Sequence, residues 1–386
     1  MVIGMKKKIN YICFFSEPED KDILVSYPSV WSKIDYIKNV LIELGYTVDI
    51  ISAAPIGKCG FYKGHTIQIS AQERHKYFTS FKLGKGIVYK LNIIYVYMQL
   101  MLYLLLKPKD EYILVYHSLF YYRPIAFLNK IFKRKFILEI EDAYSSLGTS
   151  AKKYSEREWK YFSLASAYLT VNDIIADELH NDKDKIISYG RYEMPKLHEM
   201  KKHDERIRLI YAGVIEQERK GAFLAVEAMN YLCDEYELYI CGFGSEENIE
   251  LLQKQIEQIN NKLKRNAVVY LGYKSGEEYE RILQDCDIAL STHVYDDNNM
   301  SSADHTFPSK LLVYLGNGLR IVAQRLQVLE RSQISDLIYF YEHPTAHEVA
   351  KTIMKINFNE SYDGRNRIKE LDDDFKRNLK SLLEEK

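Results

Sequence analysis

Residues 306–318 read Thr-Phe-Pro-Ser-Lys-Leu-Leu-Val-Tyr-Leu-Gly-Asn-Gly, the most specific stretch of the chain. Pro308 suits the first turn of a helix, where its missing N–H costs nothing. Ser309 and Lys310 then lie at the positive end of that helix, with backbone donors and a mobile ammonium for phosphate oxygens. An ordinary capped helix would explain Pro308, but the preceding loop, residues 295–306, is too rich in Asp, Asn and Ser to be core. The stretch therefore predicts a helix start that binds phosphate.

Two earlier strand ends in the same half also carry glycine. Residues 211–215 (Tyr-Ala-Gly-Val-Ile) are followed by Arg219, Lys220 and Gly221 and by a helical run. Glycine lets a ligand approach the backbone, and cations beside a helix start suit a diphosphate. A strand, turn and helix with surface charges is an equally good interpretation. Residues 241–245 (Cys-Gly-Phe-Gly-Ser) lack the third glycine of a dinucleotide fingerprint and alone are typical of a tight turn.

Short β-rich runs alternate with helical patterns along the chain, which is typical of mostly parallel sheets covered by helices. The predicted strands are residues 9–15, 47–52, 112–116, 136–141, 167–171 and 185–189 in the first half, and 208–213, 236–241, 267–271, 287–291, 319–323 and 337–341 in the second. Between the two series lies a polar linker, residues 194–206. We therefore expect an α/β protein with two Rossmann-like domains, residues 1–200 and 201–364. Residues 365–386 are expected to pack back on the first.

Composition and charge narrow the classes of protein. The chain has 386 residues, 47% apolar and 28% charged, as in a folded globular protein. Its 53 Lys and Arg against 54 Asp and Glu argue against a protein that coats nucleic acid, although basic residues are in excess in the first half. The five cysteines have no zinc-binding spacing, and the apolar run after the basic start is too short for a signal peptide. A reduced, cytoplasmic compartment is expected.

The second half resembles the nucleotide-sugar half of glycosyltransferase family 4 in the order of its motifs. The two glycine stretches are followed by residues 270–273 (Tyr-Leu-Gly-Tyr), residues 287–291 (Asp-Ile-Ala-Leu-Ser) and residues 306–318. The resemblance covers about residues 209–323. It implies the GT-B fold, with two facing Rossmann-like domains, a cleft between them and a C-terminal helix crossing back. It also implies a nucleotide-diphosphate sugar as the donor. The donor-binding residues that it predicts are Gly213, Arg219 and Lys220 at the diphosphate, Gly242 and Gly244 in the second glycine stretch, Tyr273 near the base, and Ser309, Lys310 and Leu311 at phosphate and ribose.

Two departures from the family's pattern fall on donor-binding positions. The family usually has Arg directly after the first glycine, where this chain has Val214, and the second of its paired glutamates would fall at Val313. A valine cannot accept a hydrogen bond from a ribose hydroxyl. Two alternatives therefore stay open: a nucleotide-sugar epimerase or hydrolase of the same fold, and a non-catalytic member that binds a nucleotide sugar or a partner enzyme.

The first half carries a carboxylate cluster at a strand end. Residues 136–142 read Phe-Ile-Leu-Glu-Ile-Glu-Asp, and the alternation of a strand puts Glu139 and Glu141 on one face. Ion pairs with the cations of residues 133–135 are the structural alternative. In family 4 this strand end commonly carries a His-Asp pair near the reacting sugar, and Glu141 and Asp142 occupy those places here. The predicted catalytic residues are Glu141, Asp142 and His117, although His117 could equally be a structural histidine.

The acceptor is expected to bind the first half. The glycine-rich loop that is usual in the family is replaced by residues 26–33 (Ser-Tyr-Pro-Ser-Val-Trp-Ser-Lys), a candidate acceptor wall. Another tyrosine follows the carboxylate cluster. The predicted acceptor-binding residues are Tyr27, Trp31 and Tyr144.

One apolar run bears on location. Residues 87–106 (IVYKLNIIYVYMQLMLYLLL) are about as long as a membrane span. Lys90, Asn92 and Gln99 within the run argue against a spanning helix. Because lysines flank the run, an apolar helix at an anionic membrane surface is one interpretation, and a buried covering helix is the other. Both hold if one face of the helix inserts.

These features together predict a retaining, hexosyltransferase-like and metal-independent glycosyltransferase. It would move a sugar from a nucleotide-diphosphate sugar to a hydroxyl of a saccharide or lipid-linked saccharide in surface polysaccharide synthesis. Retention follows from the resemblance alone. Lys220, Arg219 and Lys310 would stabilise charge on the leaving diphosphate. No cofactor, metal or nucleic-acid partner is expected, and the expected location is cytoplasmic, peripheral on the inner face of the cell membrane.

Overall fold

The computed structural model describes residues 7–20, 23–25, 28–84, 86–143, 151–198, 206–217, 220–295 and 303–384, with only the backbone at 18, 28–29 and 151–154. The chain divides into two compact units. The first unit consists of Met1–Arg191 and Phe375–Lys386, and the second of Tyr192–Asp374.

The first unit is built on a mostly parallel sheet. Its strands within the described residues are β1 (Lys8–Cys13), β2 (Thr47–Ser52), β3 (Gly60–Tyr62), β4 (Thr66–Gln68), β5 (Glu73–Tyr77), β6 (Ser80–Lys82), β7 (Tyr112–Tyr116), β8 (Ile137–Ile140), β9 (Ala167–Thr170) and β10 (Lys185–Ile187). The sheet order is β10-β9-β8-β7-β1-β2-β5-β4, with β4 antiparallel to β5 and the other neighbours parallel. Strands β3 and β6 form a separate antiparallel pair. Strand β1 lies inside this sheet and is buried from Ile9 to Cys13, as expected for a strand covered on both faces.

Helices cover this sheet. Within the described residues they are α1 (Pro28–Glu43), α2 (Ile87–Leu105), α3 (Leu119–Phe132), α4 (Ala151–Leu164) and α5 (Asp173–Glu178). Helix α3 begins where the Ser118 hydroxyl accepts a hydrogen bond from the amide of Phe120, and it ends at Lys133, whose backbone is left-handed (φ 54°). Helix α5 begins in the same way, with the Asn172 side chain accepting from the amide of Ile175. Polar caps of this kind fix where each helix follows its strand.

Helix α2 packs on the first unit along one narrow stripe. Its buried residues recur every four positions, at Asn92, Val96, Leu100 and Leu104. The Asn92 side chain accepts from the amide of Phe81, 2.9 Å away, which fixes the helix on β6. By length and composition alone this helix could cross a membrane, and 22% of its apolar window is buried. The buried-helix interpretation therefore applies to one face only, and large apolar side chains remain exposed on the other.

The second unit is a parallel α/β sheet. Within the described residues its strands are β11 (Ile207–Ile215), β12 (Tyr236–Gly244), β13 (Val268–Gly272), β14 (Ile288–Ser291), β15 (Arg320–Gln324) and β16 (Ile338–Tyr341), in the order β13-β12-β11-β14-β15-β16. Its helices are α6 (Gly221–Ala228), α7 (Glu246–Leu263), α8 (Gly276–Gln284), α9 (Lys310–Gly316), α10 (Gln327–Glu330) and α11 (Ala346–Met354). One apolar core, drawn mainly from β11, β12, α6 and α11, joins the sheet to its helices.

The last helix, α12 (Gly364–Glu384), contributes to both units. Its first part packs in the second unit, where the Arg365 guanidinium donates to the carbonyl of Pro195, 3.1 Å away. From Phe375 onward it belongs to the first unit, and the Phe375 ring lies 5.7 Å from that of Tyr36. This is the C-terminal helix that the GT-B class predicts.

Strands β11 and β12 approach each other unusually closely at their carboxyl ends. A Cβ atom on Gly242 would lie 2.0 Å from the carbonyl oxygen of Gly213, and one on Gly244 would lie 2.3 Å from that of Ile215. These glycines continue the pairing of the two strands instead of ending it, since Gly213 pairs with Gly242 and Ile215 with Gly244. The alternative interpretation of residues 241–245 as a tight turn therefore does not hold, and β12 continues to Gly244.

We expect Gly242→Ala to lower the free energy of unfolding of the second unit by about 1–3 kcal/mol, because the added methyl meets a backbone carbonyl that can move only with its strand. The matched control is Gly57→Ala in the first unit, where a Cβ would meet its nearest atom at an ordinary 3.4 Å. Urea denaturation of both full-length variants, followed by circular dichroism, measures the difference. Equal stability of the two variants would contradict the close approach of β11 and β12.

Candidate active site

A pocket of about 190 Å³ lies at the carboxyl ends of β11, β12 and β13. This is the edge at which open parallel sheets bind ligands. Its lining residues are Ala212, Gly213, Val214, Cys241, Gly242, Phe243, Tyr273, Lys274, Tyr279 and Lys310. The structure thus brings together four of the predicted donor-binding residues, Gly213, Gly242, Tyr273 and Lys310.

Lys310 places a positive charge in this pocket. Its Nζ donates to the carbonyl oxygen of Ala212 at 2.5 Å, and the hydroxyl of Tyr314 lies 3.3 Å from the same oxygen. Burial around the ammonium lowers the pKa of Lys310, although much of the side chain is exposed. An ammonium has three donors. One of them is held by the strand end, so Lys310 can offer the others to a phosphate oxygen.

Two exposed aromatic rings stand at the mouth of the pocket. Phe243 is 54% exposed and Tyr273 is 65% exposed, and their ring centroids are 5.8 Å apart in an edge-to-face arrangement. Lys274 lies beside them and pairs with Glu278 at 2.5 Å. Exposed rings offer a stacking surface for a base. Phe243, Lys274 and Tyr279 were not predicted, although the position of Phe243 between two glycines at a strand end was a usable signal.

The start of helix α9 offers fewer free amides than the sequence predicts. The amides of Ser309, Leu311 and Leu312 donate to the carbonyls of Phe307, Pro308 and Ser309, at 2.8, 2.9 and 3.1 Å. The side chain of Leu311 is fully buried in the core and does not line the pocket. Ser309 is exposed but makes no side-chain cap bond. The charge at this helix start is therefore supplied by Lys310.

The remaining predicted donor residues lie elsewhere or outside the described ranges. Gly244 is required by the close packing of β12 on β11 and does not line the pocket. Lys220 is exposed, with a left-handed backbone (φ 49°), at the start of α6, and it does not line the pocket either. Arg219, Tyr27 and Tyr144 fall outside the residues that the structure describes. Val214, at the family's arginine position, is 43% exposed and lines the pocket.

In the first unit, a buried carboxyl group lies next to the predicted catalytic glutamate. Glu139 is fully buried, and the hydroxyl of Tyr11 donates to it. Burial, and then the charge of Glu141, raise the pKa of Glu139 to about 8. The charge of Glu141 acts on Glu139 because the alternation of the strand places both side chains on one face. Glu139 therefore holds its proton at neutral pH.

Glu141 is paired with a buried lysine from α1. The Nζ of Lys33 contacts Oε1 of Glu141 and donates to the carbonyl of Ser188 at 2.7 Å. The structural alternative for this cluster was a set of ion pairs with residues 133–135. In the structure, Glu141 instead forms its ion pair with Lys33. This contact joins α1, the end of β8 and the end of β10. Lys33 was quoted in the sequence only as part of the acceptor wall.

His117 and Asp142 are held side by side. The Nδ1 atom of His117 lies 3.0 Å from the carbonyl oxygen of Asp142, so Nδ1 carries the proton, because a carbonyl can only accept. The Nε2 atom lies 3.1 Å from Oε1 of Glu158 on α4, and both side chains are buried. Burial, and then the charge of Glu141, raise the pKa of Asp142 to about 6. With Nδ1 held by that carbonyl and Nε2 facing Glu158, His117 is placed to position the backbone of Asp142.

Trp31 lies on α1, two residues before Lys33. It is half-buried, and its ring lies 5.9 Å from that of Phe15 after β1. Its Nε1 is buried without a partner among the described residues. Its predicted acceptor role stays a prediction. Within the same described ranges, no group of three His, Cys, Asp or Glu residues could hold a metal ion.

A family match decides the class of the second unit. Residues 193–378, just under half of the chain, match the family described as glycosyl transferases group 1. This part of the chain is a group 1 glycosyl transferase domain. The pocket that contains Lys310 is formed by strands of this domain, and the presence of the domain makes the protein a glycosyltransferase.

Structural comparisons extend to the whole glycosyltransferase, although a comparison with curated proteins gives no match. An E. coli structure described as trehalose-6-phosphate bound with UDP-2-fluoro glucose is 11% identical, covering 98% of this chain and 97% of that chain, with a TM-score of 0.63. The UDP-forming alpha,alpha-trehalose-phosphate synthase of Burkholderia vietnamiensis is 9% identical, with 99% and 96% covered and a TM-score of 0.61. The Burkholderia xenovorans synthase in complex with glucose-6-phosphate is 9% identical, with 98% of each chain covered and a TM-score of 0.61. At this identity the likeness shows the fold, and the predicted GT-B class is confirmed.

The buried Glu139 gives the glycosyltransferase a defined pH dependence of stability. Its pKa rises from 4.5 to about 8 on folding, so the folded chain keeps a proton that the unfolded chain loses between these values. We therefore expect the free energy of unfolding to fall as pH rises from 4.5 to 8, and Glu139→Gln to flatten this slope. Urea denaturation across this pH range measures it. The control is Glu250→Gln, at an exposed glutamate of α7, which should keep the wild-type slope. A Glu139→Gln curve parallel to that of the wild type would contradict the raised pKa.

Proposed function

We propose that the chain is a retaining glycosyltransferase that moves a sugar from a nucleotide-diphosphate sugar to a hydroxyl of a saccharide or lipid-linked saccharide, in surface polysaccharide synthesis. The observation that carries this proposal is the pocket of the group 1 domain, which places a lysine ammonium and two exposed aromatic rings at one strand edge. A nucleotide-diphosphate sugar needs both, a cation for its diphosphate and a ring surface for its base.

In this proposal the donor's diphosphate lies at Lys310, and its base lies against Phe243 and Tyr273. As the bond between the anomeric carbon and the diphosphate breaks, negative charge develops on the leaving oxygen. The ammonium of Lys310, fixed by the Ala212 carbonyl, stabilises that charge without having to reorganise. The similar structures bound with UDP-2-fluoro glucose and with glucose-6-phosphate favour a UDP-sugar donor for the first trials.

The carboxylates of the first unit are proposed to orient hydroxyl groups. Asp142, with a pKa of about 6, is mostly ionised at neutral pH and accepts a hydrogen bond from a sugar hydroxyl. Glu141 is fixed by Lys33, so its free oxygen has a defined direction. The new glycosidic bond forms from the acceptor oxygen to the anomeric carbon, and the hydroxyl proton passes to the oxygen of the leaving diphosphate as that bond forms. We also propose that the enzyme works in the cytoplasm at the inner face of the cell membrane, which the exposed apolar face of α2 supports.

We expect Lys310→Ala to weaken binding of the nucleotide diphosphate by about 1–3 kcal/mol, because a charge-assisted contact is lost. Calorimetric titration with UDP, GDP and their sugars measures the loss. Lys254→Ala removes an exposed lysine of α7 and should bind as the wild type does. Unchanged affinity of the Lys310 variant would place the diphosphate outside this pocket.

In the wild type, release of free sugar or epimer without an acceptor would favour the epimerase or hydrolase, and binding without transfer to any acceptor would favour the non-catalytic member.

We expect Glu141→Gln to leave donor affinity unchanged and to slow transfer about 100-fold or more, the usual scale for a positioned carboxylate. The assay follows product formation from the donor that binds, with membrane extract as the acceptor source. Because Lys33 loses its partner in this variant, Asp142→Asn is measured beside it and should slow transfer without releasing Lys33. Glu156→Gln, at an exposed residue of α4, is the control. Full activity in both variants at the strand end would return these carboxylates to a structural role.

A further inference from the structure

A second, larger pocket lies at the opposite edge of the first unit's sheet. It has a volume of about 370 Å³ and is formed where β7 and β8 begin. The predicted catalytic carboxylates lie at the other ends of these strands, so the pocket is separate from them. Its cationic lining consists of Lys7, Lys109, Lys133, Arg134 and Lys135, and Asp110 and Glu111 are its acids.

The positive charge in this pocket is largely uncompensated. Lys109, Lys133 and Lys135 have no ion-pair partner in the described part of the chain. Arg134 is buried, with 6% of the residue exposed, and its Nη1 donates to the carbonyl of Pro108 at 2.8 Å. Its Nη2 has no partner among the described residues. A buried guanidinium with an unused donor points to an anion, because leaving such a group unpaired is costly.

Exposed apolar side chains lie at the ends of two helices that end at the same edge as the pocket. Helix α2 leads into the start of β7 and helix α3 into the start of β8, so both helices end at the edge where the pocket lies. The last turns of α2 expose Leu102 and Leu106, which are 60% and 77% exposed. The last turns of α3 expose Phe127 and Ile131, 47% and 61%. The pocket's cations and these exposed apolar side chains therefore lie at the same edge of the sheet.

We propose that this edge docks on an anionic phospholipid bilayer, with the pocket binding the phosphate of a headgroup and the ends of α2 and α3 inserting among the acyl chains. The inference rests on the proposed location at the inner membrane face and assigns the residues that make the contact. A free phosphate would satisfy the cations equally well, but only a lipid also covers the apolar rim. Lysines around a shallow apolar surface are the combination that anionic interfaces attract.

The charge of the rim argues against a second copy of the chain as the occupant. Two copies that met across a twofold axis would bring the same lysines together. Like charges facing each other across an interface repel, and the residues that line the pocket include five cations but two acids. An anionic surface has the complementary charge.

The charge part of the proposal is tested by vesicle sedimentation with the full-length enzyme. Wild-type protein should bind vesicles of equimolar phosphatidylcholine and phosphatidylglycerol and should not bind vesicles of phosphatidylcholine alone. The triple variant Lys109→Glu, Lys133→Glu, Lys135→Glu should bind the anionic vesicles about 100-fold more weakly. A control with the same charge change, Lys254→Glu, Lys355→Glu, Lys369→Glu, lies on exposed positions of the second unit and should bind like the wild type.

The apolar part is tested by Leu102→Ser, Leu106→Ser, Ile131→Ser, which keeps every charge. This variant should lose most anionic-vesicle binding, whereas Leu197→Ser, Leu251→Ser, Met354→Ser on the second unit should not. Glycerol 3-phosphate should compete with vesicles for the wild type if the pocket takes the headgroup phosphate. Circular dichroism checks that each variant is folded.

Several outcomes would overturn the inference. They are equal binding to neutral and anionic vesicles, binding of inorganic phosphate without binding of vesicles, and self-association that the serine variant abolishes. The variant Lys109→Glu, Lys133→Glu, Lys135→Glu is also titrated with UDP and GDP. Its nucleotide affinity should match that of the wild type, since none of its changed residues lines the donor pocket. If wild-type protein bound vesicles but no nucleotide, the proposed transferase would fail while the membrane contact stood.

Discussion

The pocket that contains Lys310 depends on the close approach of two backbones. Strand β12 can pair with β11 out to its last residue because Gly242 has no Cβ to meet the Gly213 carbonyl, which is 2.0 Å from where that atom would be. The pairing carries β11 to its end in an extended form, and the Ala212 carbonyl within it then holds the ammonium of Lys310. A single steric requirement in the backbone thus determines where the cation lies. Gly242 and Gly244 are required first for the pairing of β12 with β11. Any contact of these glycines with a ligand is secondary to that pairing.

The first unit buries several carboxyl groups at one edge of its sheet. Burying a charge is expensive unless it is neutralised or paired. Both solutions are present here: Glu139 keeps its proton, with a pKa of about 8, and Glu141 pairs with Lys33. Asp142 is left with a pKa of about 6, close to neutral pH. Elements distant in sequence, α1 and α4, supply the partners, so the cluster is rigid before any substrate binds.

The sequence predicts the central strands well and the contacts between them poorly. Strands β2 and β7 match their predicted limits. In β7 the reason is a continuous apolar run, which allows one interpretation. Strands β3 to β6, three to five residues long and half polar, carry no period that distinguishes them from a loop, and none was predicted. At the site, Lys310 and Tyr273 follow from the motif order, whereas Lys33 and Glu158 reach their partners across more than 40 residues of chain. Leu311 shows the limit of a motif, since a position beside a charged residue can still face the core.

The shared helix α12 has a consequence for how the protein is made. Phe375, Leu379, Leu382 and Leu383 are buried, and they belong to the first unit although the second unit, Tyr192–Asp374, separates them in sequence from Met1–Arg191. The amino-terminal unit therefore lacks part of its core until the second unit has been synthesised. A nonsense codon near residue 374 would leave the transferase-family domain almost entire and still expose apolar surface on its partner, the kind of product that chaperones retain and proteases remove.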